Sequence, residues 1–328
     1  MSPPISAEYT RGALYGLAAA SIWAGWIVVA RLGVTTNLTP WDIAALRFGV
    51  GGLLLVPYLW RKGLAIERLG WIGLSALVLG CGAPMVLAVN AGLLFAPAAH
   101  AGALFSGGVP LMVALLAAAI LHEPFTFPKK VGLALILAGV IVILWSAGGA
   151  IGTRQNIGHV LFLVGALLWG CYTVAMRRAR LDGLHAAAIA AVGTLVIYLP
   201  VYAVVAGASL FKAPLADIAI QAFVQGFLAA IIALVLYGRA VSILGASGGA
   251  AFPALCPAMI AVLAIPVLGE WPTATDWIAI ILISAGVYVV SGGPLLRPSL
   301  RLNPSALMTP GVGRLPLHRL MTEERERQ

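Results

Sequence analysis

Apolar runs of about 20 residues, separated by short polar turns, fill the chain from residue 12 to residue 292. A helix of that length spans roughly 30 Å of hydrocarbon, and the runs do not alternate as the strands of a β-barrel would. The sequence is also 61% hydrophobic and 9% charged, which is too apolar for a soluble core with a solvated surface. We therefore predict an all-α polytopic membrane protein, with the lipid bilayer as a partner.

The breaks between the runs, marked by Gly, Pro and charge, predict ten transmembrane helices. All but four of the 20 Lys and Arg residues fall on the side of the N-terminus; the exceptions are Arg31, Arg47, Arg154 and Lys212. Because basic residues collect on the cytoplasmic side, we expect a cell inner membrane protein with both termini in the cytoplasm. The predicted membrane topology then accounts for the net charge of +9, and no nucleic-acid partner is expected. The predicted helices are 12–32, 40–60, 70–91, 97–121, 129–147, 157–178, 184–207, 217–239, 246–268 and 275–292.

The two halves of the chain resemble each other at a shift of 146 to 147 residues. We expect residues 11–148 and 157–292 to be copies of a five-helix unit, flanked by a cytoplasmic segment 1–10 and a mobile, Pro- and Arg-rich cytoplasmic tail 293–328. Since five is odd, the second copy enters the membrane from the opposite face, which is the inverted repeat typical of transporters. The matched pairs are Trp23 with Trp169, Trp26 with Tyr172, Arg31 with Arg177, Pro110 with Pro257 and Glu123 with Glu270.

Each half has a Trp-containing first helix, a Pro within the fourth and an acidic turn leading to "LAGV" (137–140) or "SAGV" (284–287). This repeated combination resembles the EamA-type members of the drug/metabolite transporter superfamily. The resemblance implies a ten-helix carrier of small metabolites such as amino acids, often an exporter, with a central cavity between the halves. Small cation-extruding members of that superfamily use a glutamate within the first helix, and residues 12–32 contain none. A zwitterionic or anionic substrate is therefore favoured over a lipophilic cation.

Arg47 lies about two turns into the predicted second helix. A guanidinium at that depth costs roughly 2.5 kcal/mol or more unless it meets a cavity, a partner or the interface. One interpretation is that it snorkels outward or pairs with Asp42; the other is that it binds a substrate carboxylate or phosphate in a bidentate manner. No Asp or Glu lies at the centre of a predicted helix, so proton coupling would need His100 or an interfacial acid.

Four aromatic residues, Trp23, Trp26, Trp169 and Tyr172, lie in the middle of predicted helices, unlike the aromatic belts at membrane interfaces. They are either core packing or the walls of a largely apolar pocket. Gln221 and Gln225 are four residues apart, so they share one helix face. The polar candidates for the same pocket, each with packing as its alternative, are Asn90, His100, Ser106, Gln221, Gln225, Tyr237 and Ser247.

Pro110 and Pro257 are predicted inside the fourth and ninth helices, either as paired hinges or kinks or as ordinary prolines of membrane helices. The small-residue stretches 98–108 and 245–252 begin these helices and predict that they pack closely against each other or against moving neighbours. Glu123 and Glu270 mark the turn that follows each helix. We favour helix-start and loop anchoring for these acids over the alternative of matched gate contacts on opposite faces.

The sequence contains no catalytic or metal-binding pattern. Its five histidines are scattered, Cys81, Cys171 and Cys256 lie in apolar runs, and no GxSxG, Walker or HExxH motif occurs. We therefore predict a non-enzymatic protein without cofactor or metal. Together with the inverted repeat and the resemblance described above, which implies small metabolites such as amino acids and often export, this predicts a secondary transporter that works by alternating access. The alternatives are a sugar-phosphate or nucleotide-sugar exchanger and, in another class, a membrane enzyme or receptor on a transporter fold. We expect a small-molecule substrate, and a homodimer as the alternative to a monomer.

Overall fold

The computed structural model describes residues 7–146, 154–206, 209–249 and 251–292. Within these ranges the regular structure is entirely helical. Among the described residues, eight helices are long and apolar enough to cross a membrane, and two further apolar helices, Phe252–Leu268 and Ala274–Val290, are shorter. The prediction of a polytopic helical membrane protein is confirmed. The predicted tail 293–328 lies outside the described residues, and residues 7–10 of the predicted N-terminal segment are already helical.

The helices begin and end close to the predicted bounds, but several predicted helices are divided. Two π-helices, Gly102–Ser106 and Ala222–Ile232, and two 3-10 helices, Ser209–Lys212 and Phe252–Leu255, lie between α-helical segments. The α-helices are α1 (Ala7–Thr35), α2 (Pro40–Lys62), α3 (Ile66–Cys81), α4 (Ala83–Gly92), α5 (Ala98–Ala101), α6 (Gly108–Leu121), α7 (Phe127–Ser146), α8 (Arg154–Arg178), α9 (Gly183–Ala206), α10 (Leu215–Gln221), α11 (Ala233–Gly249), α12 (Cys256–Leu268) and α13 (Ala274–Val290).

Pro110 and Pro257 lie within the helical stretches Ala98–Leu121 and Phe252–Leu268, each just after an irregular turn. Pro110 is the third residue of α6, after the π-helix Gly102–Ser106, and Pro257 is the second residue of α12, after the 3-10 helix Phe252–Leu255. In the first turn of a helix the missing N–H of proline costs no intrahelical hydrogen bond. Each proline thus directly follows an irregular turn within a helical stretch.

Close backbone contacts at glycines bring matched helices together. A Cβ on Gly286 of α13 would lie 2.6 Å from the carbonyl oxygen of Gly132 in α7, and a Cβ on Gly139 would lie 2.8 Å from that of Ala279. The two contacts map onto each other at the shift of 147 residues. Gly102, at the start of the first π-helix, also lies close to α12, with 3.3 Å from its Cβ position to the Cα of Pro257. The predicted packing of the fourth helix against the ninth is confirmed.

The remaining helices surround the interior. Helix α1 packs on α11 and α12, α8 packs on α3 and α6, and α2 packs on α9. Glu123 and Glu270 follow matched helix ends, because His122 and Gly269 both adopt the left-handed conformation, with φ of 56° and 67°. The N–H of each glutamate donates at 3.3 Å to a carbonyl six residues earlier, that of Ala117 or Ala264. These bonds satisfy carbonyls at the end of α6 and α12 in the same way.

Candidate functional site

A cavity lies between α1, α2, α3, α8, α9, the second π-helix and α11. Five predicted site residues are on its wall: Trp23, Trp26, Arg47, Trp169 and Tyr172. Its volume is about 40 Å³, room for a few water molecules, so a metabolite would need side chains to move apart. Wall residues that the sequence did not single out are Phe48, Cys81, Ala187, Ala191, Ala229, Ala230 and Leu234.

Arg47 is the only charged side chain among the residues that line this cavity. It lies seven residues after the start of α2, about 10 Å along the helix axis, and is 6% exposed. Its Nη1 donates to Gln225 Oε1 at 3.4 Å, and its guanidinium carbon is 4.5 Å from the ring centroid of Trp26. In the described part of the chain no Asp or Glu forms an ion pair with it. Arg47 therefore does not pair with Asp42, whose carboxylate instead accepts from Thr39.

Gln225 and Gln221 hold the guanidinium in place rather than line the cavity. Gln225 Nε2 donates to Gln221 Oε1 at 3.1 Å, and Gln221 Nε2 donates to the carbonyl oxygen of Val29 in α1 at 2.6 Å. Both glutamines are buried, and the hydrogen bond between their side chains places them on one helix face, as predicted. The row of bonds orients Gln225 Oε1 toward Arg47. Since a guanidinium has five N–H groups, donors remain for a ligand.

Aromatic rings form the apolar part of the site. Trp26 meets Phe105 edge-on at 5.7 Å between ring centroids, and Phe105 meets Trp169 edge-on at 6.4 Å. Trp169 is 5.4 Å from Tyr172, which completes a row across the two halves. Phe105 lies in the first π-helix and was not predicted as a site residue. Its position between two tryptophans depends on a tertiary contact that the sequence does not display.

The other predicted residues lie away from the cavity wall. Tyr237 packs on Trp23 with centroids 5.3 Å apart, and Ser106 ends the first π-helix. Asn90 is fully buried in α4, and its amide has no hydrogen-bond partner. His100 lies in α5 within a polar cluster at one end of the bundle. Ser247 is in α11, and its side chain is outside the part that the structure describes.

Ion pairs involving Glu270 and Glu123 lie at the two ends of the bundle. We call the end that contains Glu270 the Arg31 end. Here Arg31 Nε is 2.7 Å from Glu270 Oε1, and the N–H of Ala98 donates to Glu270 Oε2 at 2.8 Å. The guanidinium of Arg31 also donates to the carbonyl oxygen of Leu93. Glu270 thus anchors the start of α5, not the start of α13 that follows it in the chain.

At the other end, the Arg177 end, Glu123 contacts Lys129 at 3.2 Å and Arg177 at 3.6 Å. Helix α8 separates the two ends by about 33 Å between Gln155 and Arg177. Arg31 and Glu270 are 18% and 21% exposed, whereas Arg177 and Glu123 are 49% and 38% exposed. The matched residues therefore form matched pairs, but the pair at the Arg31 end is shorter and better buried.

Apolar helices of membrane-crossing length surround a buried cavity whose wall carries one cationic side chain, Arg47. This arrangement is more typical of a membrane transporter than of an enzyme. The model of the EamA-like transporter family matches two segments of this chain, residues 10–145 and 156–292. The chain therefore belongs to the EamA-like transporter family. The resemblance stated from the sequence is confirmed, as is the prediction that the protein is not an enzyme.

Curated relatives and a solved structure agree with this assignment. The "Uncharacterized inner membrane transporter YedA" of Escherichia coli K12 is 27% identical over 305 residues, covering 88% of this chain and 94% of that protein. The "Uncharacterized transporter YyaM" of Bacillus subtilis is 26% identical over 283 residues, 79% of this chain and 90% of the relative. A protein crystal structure with 21% identity has a TM-score of 0.55 and covers 88% of this chain and 98% of its own. The last likeness concerns the fold alone.

Proposed function

We propose that the protein is a secondary carrier that exports small anionic or zwitterionic metabolites, such as amino acids, across the inner membrane. Arg47 carries this proposal, because it is buried on the cavity wall and no described Asp or Glu forms an ion pair with it. A buried guanidinium is costly without a counter-charge, and a substrate carboxylate would supply one. The aromatic row from Trp26 to Tyr172 would then contact the apolar part of the substrate.

Ten spans in two inverted repeats are part of the same proposal. It is supported by the two separate family matches and by glycine contacts and helix ends that correspond at a shift of 147 residues. Two such halves can exchange conformations and expose a central site to either side in turn. With both termini in the cytoplasm, the Arg31 end faces outward. We propose that Glu270 and Glu123 are gate contacts at the two ends, with the outer contact closed.

Counterflow in proteoliposomes tests the carrier. Vesicles preloaded with an amino acid should take up the labelled compound, whereas its methyl ester, which lacks the carboxylate, should not compete. Arg47→Lys keeps the charge but loses the planar fork, and Arg47→Gln loses both. If one or two charge-assisted hydrogen bonds hold the carboxylate, we expect Arg47→Gln to weaken apparent affinity by about 10- to 100-fold, with Arg47→Lys in between.

Arg61→Gln is the matched control, because Arg61 is on the same helix but exposed near its end. It should leave counterflow unchanged. Sugar phosphates and nucleotide sugars belong in the same panel, and their preference over amino acids would favour the exchanger instead. Absence of counterflow for every compound with the folded wild-type protein would reject the carrier. Inside-out vesicles loaded by a substrate gradient would report the direction of net flow.

A further inference from the structure

The Arg31 end contains a buried polar cluster that substrate binding at Arg47 does not use. His100 Nε2 is 3.1 Å from Asp276 Oδ1, and His100 Nδ1 is 2.9 Å from His159 Nε2. The three side chains come from α5, α13 and α8 and are 4%, 6% and 1% exposed. Two more polar groups reach the cluster from partly exposed or exposed positions: Gln155 Nε2 is 3.0 Å from His100 Nδ1, and Ser146 Oγ is 3.4 Å from Asp276 Oδ1.

We propose that His100, His159 and Asp276 form a proton-binding site whose occupancy controls the opening of the Arg31 end. The proposal rests on the alternating access proposed above. It concerns the proton as ligand, and no group of three or more described His, Cys, Asp or Glu side chains suits a metal ion.

The hydrogen-bond geometry allows the cluster to hold one proton more or less while His100 keeps its contacts with Asp276 and His159. Asp276 is fixed as an acceptor, because its Oδ2 caps the N–H of Thr273 at 2.8 Å. His100 then donates through Nε2 to Asp276, so its Nδ1 accepts from His159 Nε2–H. In this form His159 Nδ1 is a buried lone pair without a partner.

An added proton binds at this His159 Nδ1. The proton on His159 Nε2 then moves across the 2.9 Å contact to His100 Nδ1. His159 ends neutral with its proton on Nδ1, and His100 ends as an imidazolium between Asp276 and His159. The cluster, which carried one negative charge, becomes neutral overall. Gln155 retains its contact by turning its amide so that the oxygen faces His100.

The neighbouring charges set the direction of the effect. On the helices packed around the cluster, Arg31 and Glu270 pair with each other, and Arg154 stands over the ring of Phe95 at 5.8 Å. Without the added proton, Asp276 is a buried carboxylate that accepts hydrogen bonds but has no described cation in contact with it. A buried charge without a counter-charge is costly, so the closed form, which buries the cluster, should bind the proton more tightly than an open, hydrated form. Rising pH should therefore favour opening.

Helix α5 connects the cluster to the gate and to the cavity. Its first residue, Ala98, donates to Glu270, and its third is His100. The π-helix that follows carries Phe105, which packs on Trp26 and Trp169 in the cavity wall. The cluster has no counterpart in the other half, since the shift places Ser247, Lys129 and Ala13 at the positions of His100, Asp276 and His159. The helix packing that the two halves share therefore does not require these three side chains.

Spin-label distances across the Arg31 end test the proposal without a substrate. Labels at Thr35→Cys and Ile157→Cys, both exposed, are placed in a chain whose native cysteines are replaced by alanine. In the parent protein, the ratio of long to short distances should rise by up to about tenfold per pH unit, the limit for one linked proton, between about pH 5 and 8. His122→Asn is the control, because it removes an exposed histidine at the opposite end and Asn tolerates the left-handed conformation.

In His100→Gln the distance ratio should no longer depend on pH. If that variant does not fold, His159→Gln retains the bond between His100 and Asp276 and should also lose the dependence. Histidine NMR of the native chain provides a second readout, in which one shared proton should titrate on the His100 and His159 signals. Two results would overturn the proposal. One is a distance ratio that does not change with pH in the parent protein, and the other is a ratio that depends on pH in both variants as strongly as in the parent. These outcomes do not involve transport, so an empty substrate panel would reject only the carrier.

Discussion

The ion pair between Arg31 and Glu270 should hold the Arg31 end closed, and Glu270→Gln should release it. Glu270 accepts two hydrogen bonds, from Arg31 Nε at 2.7 Å and from the N–H of Ala98 at 2.8 Å. A hydrogen bond to a charged group is worth about 1.5–3 kcal/mol, and glutamine retains part of each bond. Since about a fifth of each charged side chain is exposed, we take about 2 kcal/mol as the loss, or about a 30-fold shift toward the open form.

Cys81 lines the cavity and can report this opening. In a chain with Cys171 and Cys256 replaced by alanine, a membrane-impermeant maleimide added on the Arg31 side should modify Cys81 about 30-fold faster in Glu270→Gln. Glu123→Gln is the matched control, because its longer, more exposed pairs are worth about 0–1 kcal/mol each. It should not raise the rate from this side. Unchanged labelling in Glu270→Gln, or an equal rise in Glu123→Gln, would refute the reasoning.

Three further substitutions test the packing and the site. Gly286→Ala places a Cβ 2.6 Å from a carbonyl oxygen of α7 and should cost about 1–3 kcal/mol of stability, seen as a lower melting temperature in detergent. Gly238→Ala, with open space at its Cβ position, should not lower it, and equal melting temperatures would contradict the contact. Gln225→Glu puts a carboxylate beside Arg47 and should weaken binding of carboxylate substrates more than tenfold by the strength of such a bond; retained affinity in equilibrium binding would argue against Arg47 as the ligand. Trp26→Phe should keep the fold, since the indole N–H has no partner. It should weaken the hold on Arg47 by about 0.5–2 kcal/mol, measured as lower substrate affinity.

Much of the fold follows from the length of the apolar runs, because a helix is the only local structure that satisfies its own backbone in lipid. The helix bounds accordingly lie close to the predicted ones. The packing of α7 on α13 was not predicted, but the glycines that allow it, Gly139 and Gly286, belong to the repeated LAGV and SAGV segments. Trp23, Trp26, Trp169 and Tyr172, for which the sequence left core packing and a pocket wall open, all line one cavity. The divisions within helices were not predicted, since a π-turn depends on small local differences in hydrogen bonding rather than on hydropathy.

The contacts between distant segments could not be read from the sequence. Glu270 precedes α13, so its position predicted a role there, yet its carboxylate reaches α1 and α5. Phe105 was not singled out from the sequence, yet it is part of the aromatic row. The polar partners of His100 are 59 and 176 residues away in the chain, and no spacing rule connects such residues. The local hydropathy pattern thus predicts the helices, whereas the contacts between side chains of distant segments depend on the tertiary structure.

The charged part of the site is present in one half only, and this bears on how the protein would work. At the shift of 147 residues, Arg47 and Gln225 correspond to Thr194 and Val78. These two residues also touch, because Thr194 Oγ1 donates to the carbonyl oxygen of Val78 at 3.5 Å. The framework contact is therefore kept in both halves, while the guanidinium and its amide support occur once. In the carrier proposed above, a framework with equivalent contacts would give two conformations of similar energy. Unmatched groups, such as Arg47 at the cavity and the cluster of His100, His159 and Asp276 at the Arg31 end, would then bias the equilibrium between them.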